Sequence, residues 1–304
     1  MSMENKNIKK KGEEKMKEKI MVGTMENSIT RKKRAKDITQ NAFSIGTKKV
    51  AWIPVELLVI KQYQRNRQKH ITSIAENWDN SKCNVLLVSY DSVNGVFNVM
   101  DGQHRAAAAR MRGVEYLVCE IFQDMTISKE ALYFVSQNIN TKKLSPFDTF
   151  NANQYINGED ETDLCKLDKE IKAVCEKYNV DVKKSNAANC IKSVSEARSI
   201  VKRDGKEGLS YVIEIIQESN WDSFTDGYAG DLMNALGKVY FKTKGGYDER
   251  MRLIGFFKGS NPTELVAIAN NNHPNLGRRA RLNATIDEII AEPEKPSKKV
   301  TAIA

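Results

Sequence analysis

The stretch from Val96 to Phe122 constrains the fold more than any other part of the sequence. Val96-Phe97-Asn98-Val99-Met100 reads as a strand, Asp101-Gly102 breaks it, and Gln103-His104-Arg105 leads into Ala106-Ala107-Ala108-Ala109-Arg110-Met111-Arg112-Gly113. Four successive alanines have the best helix propensity available, and Gly113 suits the helix's C-terminal stop. A further strand is expected over 115–122. Upstream, 84–90 reads as a strand joined to 96–100 by the turn 91–95, whose Asn94-Gly95 is a hairpin signal. Strand, tight glycine turn, helix and strand thus follow one another within about 27 residues as one compact unit.

The rest of the chain sets the frame. Its 304 residues allow one large domain or two ordinary ones, and 40% hydrophobic and 8% aromatic residues suffice for packed cores. No apolar run approaches the ~20 residues of a membrane-spanning helix, and the N-terminus lacks the apolar centre of a signal peptide. A cytoplasmic protein with no membrane partner is therefore expected. Cysteines 83, 119, 165, 175 and 190 form no C-x-x-C pair, and with three histidines they give no zinc spacing. An odd thiol count fits a reducing compartment, with Cys119 buried in its apolar run.

The net charge of +9 is unevenly spread. Residues 1–50 hold fourteen Lys/Arg against six Asp/Glu, a net +8, and the other 254 residues are nearly balanced at +1. Residues 1–48 lack apolar periodicity and are expected to form a flexible basic arm with a short helix near 9–20. Its cations are Lys9, Lys10, Lys11, Arg31, Lys32, Lys33 and Arg34. Such an arm can bind DNA phosphates without reading sequence, or can serve only as a solvated tail.

The expected class is α+β: a small α/β domain at 49–150, an all-helical domain at 151–292, and a tail at 293–304. In the first domain, 55–59 is a strand or a helical turn and 71–78 a helix. Ser128 is the expected cap of the next helix, and Ser145-Pro146 restarts helix at the domain's end. Helices then follow at 164–178, 191–201, 209–218, 231–240, 247–257, 262–270 and 281–291. Trp221 and Phe224 are expected core anchors, 242–246 a connector, Asp160, Glu161 and Asp163 a solvated turn, and His70 a surface residue. Arg278, Arg279 and Arg281 form a dense basic group that either contacts phosphate or only favours a helix end, and phosphate is preferred because no acid lies nearby in sequence.

Any chemistry is expected at Asp101–Arg105. A glycine between strand and helix lets backbone N–H groups face a ligand at the positive end of the helix dipole. His104 and Arg105 add donors suited to phosphate, and Asp101 could hold a metal ion or orient Arg105. The alternative is a plain helix cap with an Arg–carboxylate pair.

Residues Val99 to Ala108 resemble the signature of the ParB/sulfiredoxin superfamily. Gly102-Gln103-His104-Arg105 falls on the Gly-Glu-Arg-Arg of ParB-type partition proteins and on the Gly-Cys-His-Arg of sulfiredoxins; the Asp-Gly-Gln-His-Arg form occurs in ParB-like proteins. Ile53-Pro54-Val55-Glu56-Leu57 with Tyr63-Gln64-Arg65 resembles the opening strand and Gln-Arg element. Gln137-Asn138-Ile139-Asn140-Thr141-Lys142-Lys143-Leu144-Ser145-Pro146 is similar to the ParB motif Glu-Asn-x-Gln-Arg-x-x-Leu-x-Pro. The resemblance covers roughly residues 50–150.

It implies a nucleoside triphosphate, CTP or ATP, with Mg2+. Gly102, His104 and Arg105 would cradle phosphates, Arg65 would close over them, Gln64, Gln103 and Gln137 would belong to the same nucleotide site, and Asn138 would help place the metal. Gln103 replaces the sulfiredoxin cysteine, which excludes that enzyme's chemistry. Gln137 replaces the ParB glutamate, and an amide is no general base. By family analogy, the implied function is nucleotide binding by a ParB-like protein acting on or near DNA, of the sort mobile elements carry, with a homodimer admitted. Two alternatives stay open: a weak NTPase, nuclease or phosphotransferase, with Asp101 and Asp148 as the first carboxylates to test, and a non-catalytic interaction module.

Overall fold

The computed structural model describes residues 28–64, 68–138 and 144–291. The chain divides into two compact units, Met1–Lys143 with Tyr155–Asp160, and Leu144–Gln154 with Glu161–Ala304. The expected helix near 9–20, Lys9, Lys10, Lys11, Arg65 and the tail lie outside the described residues.

Among those residues the first unit holds a six-stranded mixed sheet. Its strands are β1 (Phe43–Ile45), β2 (Lys48–Pro54), β3 (Leu58–Val59), β4 (Leu86–Asp91), β5 (Val96–Asp101) and β6 (Tyr116–Phe122), in the order β1-β2-β6-β4-β5-β3. The β4–β5 hairpin is antiparallel, while β4–β6 and β3–β5 run parallel. Helices α1 (Ser28–Gln40), α2 (Gln68–Glu76), α3 (Gln103–Arg112) and α4 (Ile127–Gln137) complete the unit. Alternation along the strands sends Ile53, Leu86, Val88, Phe97, Val99, Leu117, Cys119 and Ile121 into one core, closed by Ala106 and Ala109 of α3 and Ala35 of α1. The alanine run thus acts as a packing surface as well as a helix former: Ala108 meets Ile71 and Ala75 of α2. Residues 55–59 satisfy both readings, a 3-10 turn at Val55–Leu57 followed by β3.

The expected flexible arm needs correction at its C-terminal end, because 28–40 is helix and 43–45 and 48–54 are strands. Helix α1 carries few apolar residues, so no stripe marks it in the sequence; docking holds it. Ala35 and Thr39 are buried, Arg31 Nε donates to the Asn94 carbonyl at 3.0 Å, and Arg34 pairs with Glu56 at 2.5 Å. The contact is close enough to need glycine at the hairpin turn. Gly95 has φ +66, and a Cβ there would lie 2.6 Å from Lys32 Cα. A second correction concerns α4, capped by Thr126, whose side chain accepts from Lys129 N. Ser128 lies inside the helix and donates to the Asn157 carbonyl and to Asp160 Oδ2.

The second unit is built from α5 (Pro146–Asn153), α6 (Asp163–Lys177), α7 (Val194–Glu218), α8 (Gly230–Thr243), α9 (Tyr247–Lys258), α10 (Pro262–Asn272) and α11 (Arg278–Ala291). It is not wholly helical. Asp181–Val182 (β7) and Cys190–Ile191 (β8) form a short parallel pair. The two helices expected over 191–218 are joined in α7 across a kink at Gly205. The boundary expected at 150 falls earlier because α5 sends Phe150 into the helical core. Trp221 stacks on Phe257 with centroids 4.0 Å apart, whereas Phe224 is exposed and anchors nothing. Buried Asp168 receives Arg198 Nε and Nη2, each at 2.7 Å, and Asn153 Nδ2.

All five cysteines are free. Burial pushes the Cys119 and Cys175 thiols up to about 12, and only Cys83 is more than marginally accessible. Iodoacetamide on the native protein at pH 8 is expected to label Cys83 first, as peptide mass spectrometry would read, with Cys119 and Cys175 reacting only after denaturation.

Candidate functional site

Gly102 ends β5 and begins α3 with φ +91 and ψ 17, a bend glycine adopts without strain. No side chain caps α3 at Gly102, and Ala106 N donates to Gly102 O at 2.9 Å. A Cβ on residue 102 would lie 2.8 Å from Leu86 Cγ and 3.0 Å from Arg105 Nη2. The guanidinium therefore folds back over the bend. Arg105 Nη1 donates to the Asn84 carbonyl at 2.5 Å, and Nη2 meets Asp101 Oδ2 at 3.3 Å. Gln103 is buried and His104 half-buried, with the His70 ring edge-on 5.0 Å away. His70 is exposed as expected, yet it belongs to the neighbourhood of the turn.

The Tyr63-Gln64 segment hangs on the end of β5. Gln64 Nε2 donates to the Val99 carbonyl and, at 3.3 Å, to that of Met100, just before Asp101-Gly102. Tyr63 OH donates to Glu130 at 3.3 Å; burial and that carboxylate push its phenol well above the usual range. Glu130 itself is buried, accepting also from Ser89 Oγ and from Asn98 Nδ2 at 2.9 Å. Sequence reasoning missed this network. Its signal was faint: Ser89 and Asn98 face each other in register within apolar strands.

Gln137 is exposed at the end of α4, and buried Asn138 closes that helix by donating Nδ2 to the Phe134 carbonyl at 2.7 Å. Among the described residues no group of three His, Cys, Asp or Glu side chains could hold a metal ion. Asp148 is spoken for: it completes the capping box of α5 and pairs with Lys184. The basic group at α11 is also corrected, since folding supplies the acids that the local sequence lacks. Arg278 pairs with Asp231 at 3.1 Å, Arg279 with Glu196 at 2.5 Å and Asp231 at 3.2 Å. Arg281 donates to the Leu276 and Pro274 carbonyls. By contrast, Lys32 and Lys33 on α1 are exposed and form no ion pair among the described residues.

Residues 59–284 match a family described as "Family of unknown function (DUF6551)". The chain belongs to DUF6551. In this DUF6551 protein the match takes in the glycine turn and most of the second unit, while α1, β1 and β2 precede it. No curated protein matches the chain. Among solved structures it is similar to the C-terminally truncated chromosome-partitioning protein ParB from Caulobacter crescentus. The complex with CTP-gamma-S is 14% identical with a TM-score of 0.27, over 81% of this chain and 99% of that one. The complex with the centromeric parS site is 11% identical with a TM-score of 0.29, over 78% and 98%. At such values the reading of the DUF6551 site depends on its own geometry.

Proposed function

We propose that the chain binds a nucleoside triphosphate, CTP or ATP, at the Asp101–Arg105 turn and acts on or near DNA as a ParB-like protein. The observation that carries this reading is the uncapped first turn of α3 behind Gly102, with the Arg105 guanidinium lying over the bend. The positive end of a helix, backed by a planar cation, suits a phosphate. Gly102, Gln103, His104 and Arg105 supply the cradle, Gln64 flanks it, and Arg65 would by the resemblance close over the phosphates. The half-exposed Asp101 holds Arg105 in waiting, and an arriving phosphate competes with it for the guanidinium.

Mg2+ would ride on the phosphate oxygens, with Asn138 and Gln137 offering neutral amide oxygens only. With no carboxylate in the Gln137 position, binding is expected to outlast turnover, so any NTPase activity is weak. The exposed cations of α1, with Lys9, Lys10 and Lys11, would meet DNA phosphates without sequence preference.

Isothermal titration with each of the four NTPs and Mg2+ tests the nucleotide half. At least one should bind, and Arg105→Ala should weaken it about tenfold or more, the worth of a charge-assisted hydrogen bond. Asp101→Asn should tighten binding by up to about fivefold, the strength of an exposed ion pair. Melting curves for both variants separate lost binding from lost fold. Absence of binding to all four nucleotides in the folded wild type defeats the reading.

A further inference from the structure

The described surface of the first unit carries three exposed aromatic rings beside the basic helix α1. Phe43 is 74% exposed, Trp52 63% and Tyr116 45%. The register places them on one side of the sheet. Phe43 pairs with Val50, Trp52 lies two residues further along β2, and Pro54, two further again, pairs with Tyr116. Trp52, Pro54 and Tyr116 also line a cavity of about 430 Å³ with Lys33 and Arg34 of α1. That helix has five Lys/Arg to one Asp, and Lys32, Lys33 and Lys36 are exposed with no ion pair among the described residues.

We infer that this face is a binding platform for single-stranded DNA, with bases stacked on Trp52, Tyr116 and Phe43 and phosphates met by the lysines of α1. Exposed rings next to cations are what a stacking site for single strands requires. Spacing selects the single strand over the duplex. Each ring lies two residues along and one strand across from the next, a diagonal step of roughly 8 Å, more than twice the 3.4 Å base spacing of a duplex strand. A base on each ring must be unstacked from its neighbour, which a single strand permits and a duplex resists. The inference rests on the nucleic-acid half of the proposed function and is independent of nucleotide capture at Gly102.

The test is fluorescence anisotropy of the full chain with labelled oligo(dT) of 20 nucleotides, a duplex of equal length, and oligo(rU). Oligo(dT) should bind most tightly, quench tryptophan emission and weaken as salt rises. Trp52→Ala should reduce oligo(dT) affinity about tenfold or more and abolish the quench, leaving duplex affinity within twofold. Lys33→Glu with Lys36→Glu should weaken both substrates. All three side chains are exposed, and circular dichroism melts confirm that each variant folds.

Equal oligo(dT) and duplex affinity with no effect of Trp52→Ala overturns the platform and leaves general DNA binding standing. Failure to bind any oligonucleotide removes both. Tighter binding of oligo(rU) overturns the assignment to DNA. A dimer in light scattering that Trp52→Ala converts to monomer, without change in oligo(dT) affinity, assigns the face to a second copy of the chain and also overturns it.

Discussion

Gly102→Ala is expected to destabilise the first unit by about 2–5 kcal/mol and to abolish nucleotide binding. Two costs add. A left-handed backbone costs an L-residue roughly 1–2 kcal/mol, and residue 102 sits at φ +91. The new methyl would also lie 2.8 Å from Leu86 Cγ. Leu86 is fully buried between strands and cannot retreat, so an overpacking cost of about 1–3 kcal/mol applies. The same methyl presses on the Arg105 guanidinium, forcing it off the bend and off Asp101. Urea melts followed by circular dichroism read the first effect, and NTP titration well below the transition reads the second. An unchanged midpoint would mean that Leu86 and the bend yield more easily than their packing implies.

An effect at least as large on stability is expected from Glu130→Ala, about 3–5 kcal/mol or more. Removing this carboxylate leaves Ser89, Asn98 and Tyr63 as buried donors without their acceptor, and each such group costs roughly 1–3 kcal/mol. Glu130→Gln keeps one acceptor oxygen and should cost roughly half as much. The damage should reach the site, because Tyr63 precedes Gln64, whose amide is tied to the end of β5. Weakened nucleotide affinity in Glu130→Gln, measured where the variant is still folded, is the expected sign. Full affinity in that variant would detach the buried network from the turn.

The central unit was readable because its elements are local. The hairpin turn, the alanine run and the glycines at its two ends each carry their own signal, and β4, β5, α3 and β6 stand where those signals place them. Helix α1 was hidden because its stability comes from contacts far along the chain, such as Arg31 with Asn94. The α11 arginines misled for the same reason: Glu196 lies 83 residues from Arg279 and meets it only after folding. Glu130 is an acid in the first turn of α4, a position where acids are common, so nothing local marks it. Ser89 and Asn98 are single polar residues within two strands, and only the register brings them opposite each other. At the turn itself the sequence named the residues, and the structure added that Arg105 is already engaged by Asp101 and two main-chain carbonyls.

The short return of Tyr155–Asp160 to the first unit governs how this protein can be dissected. A gene truncated after residue 150, where a tandem-domain plan would cut, discards Tyr155, whose ring packs on Tyr63 and whose hydroxyl meets Gln62. It also strips Ser128 of both its acceptors, the Asn157 carbonyl and Asp160. An autonomous sheet fragment must therefore extend through Asp160 and carry α5 along as a passenger, shorn of the helices that would bury Phe150.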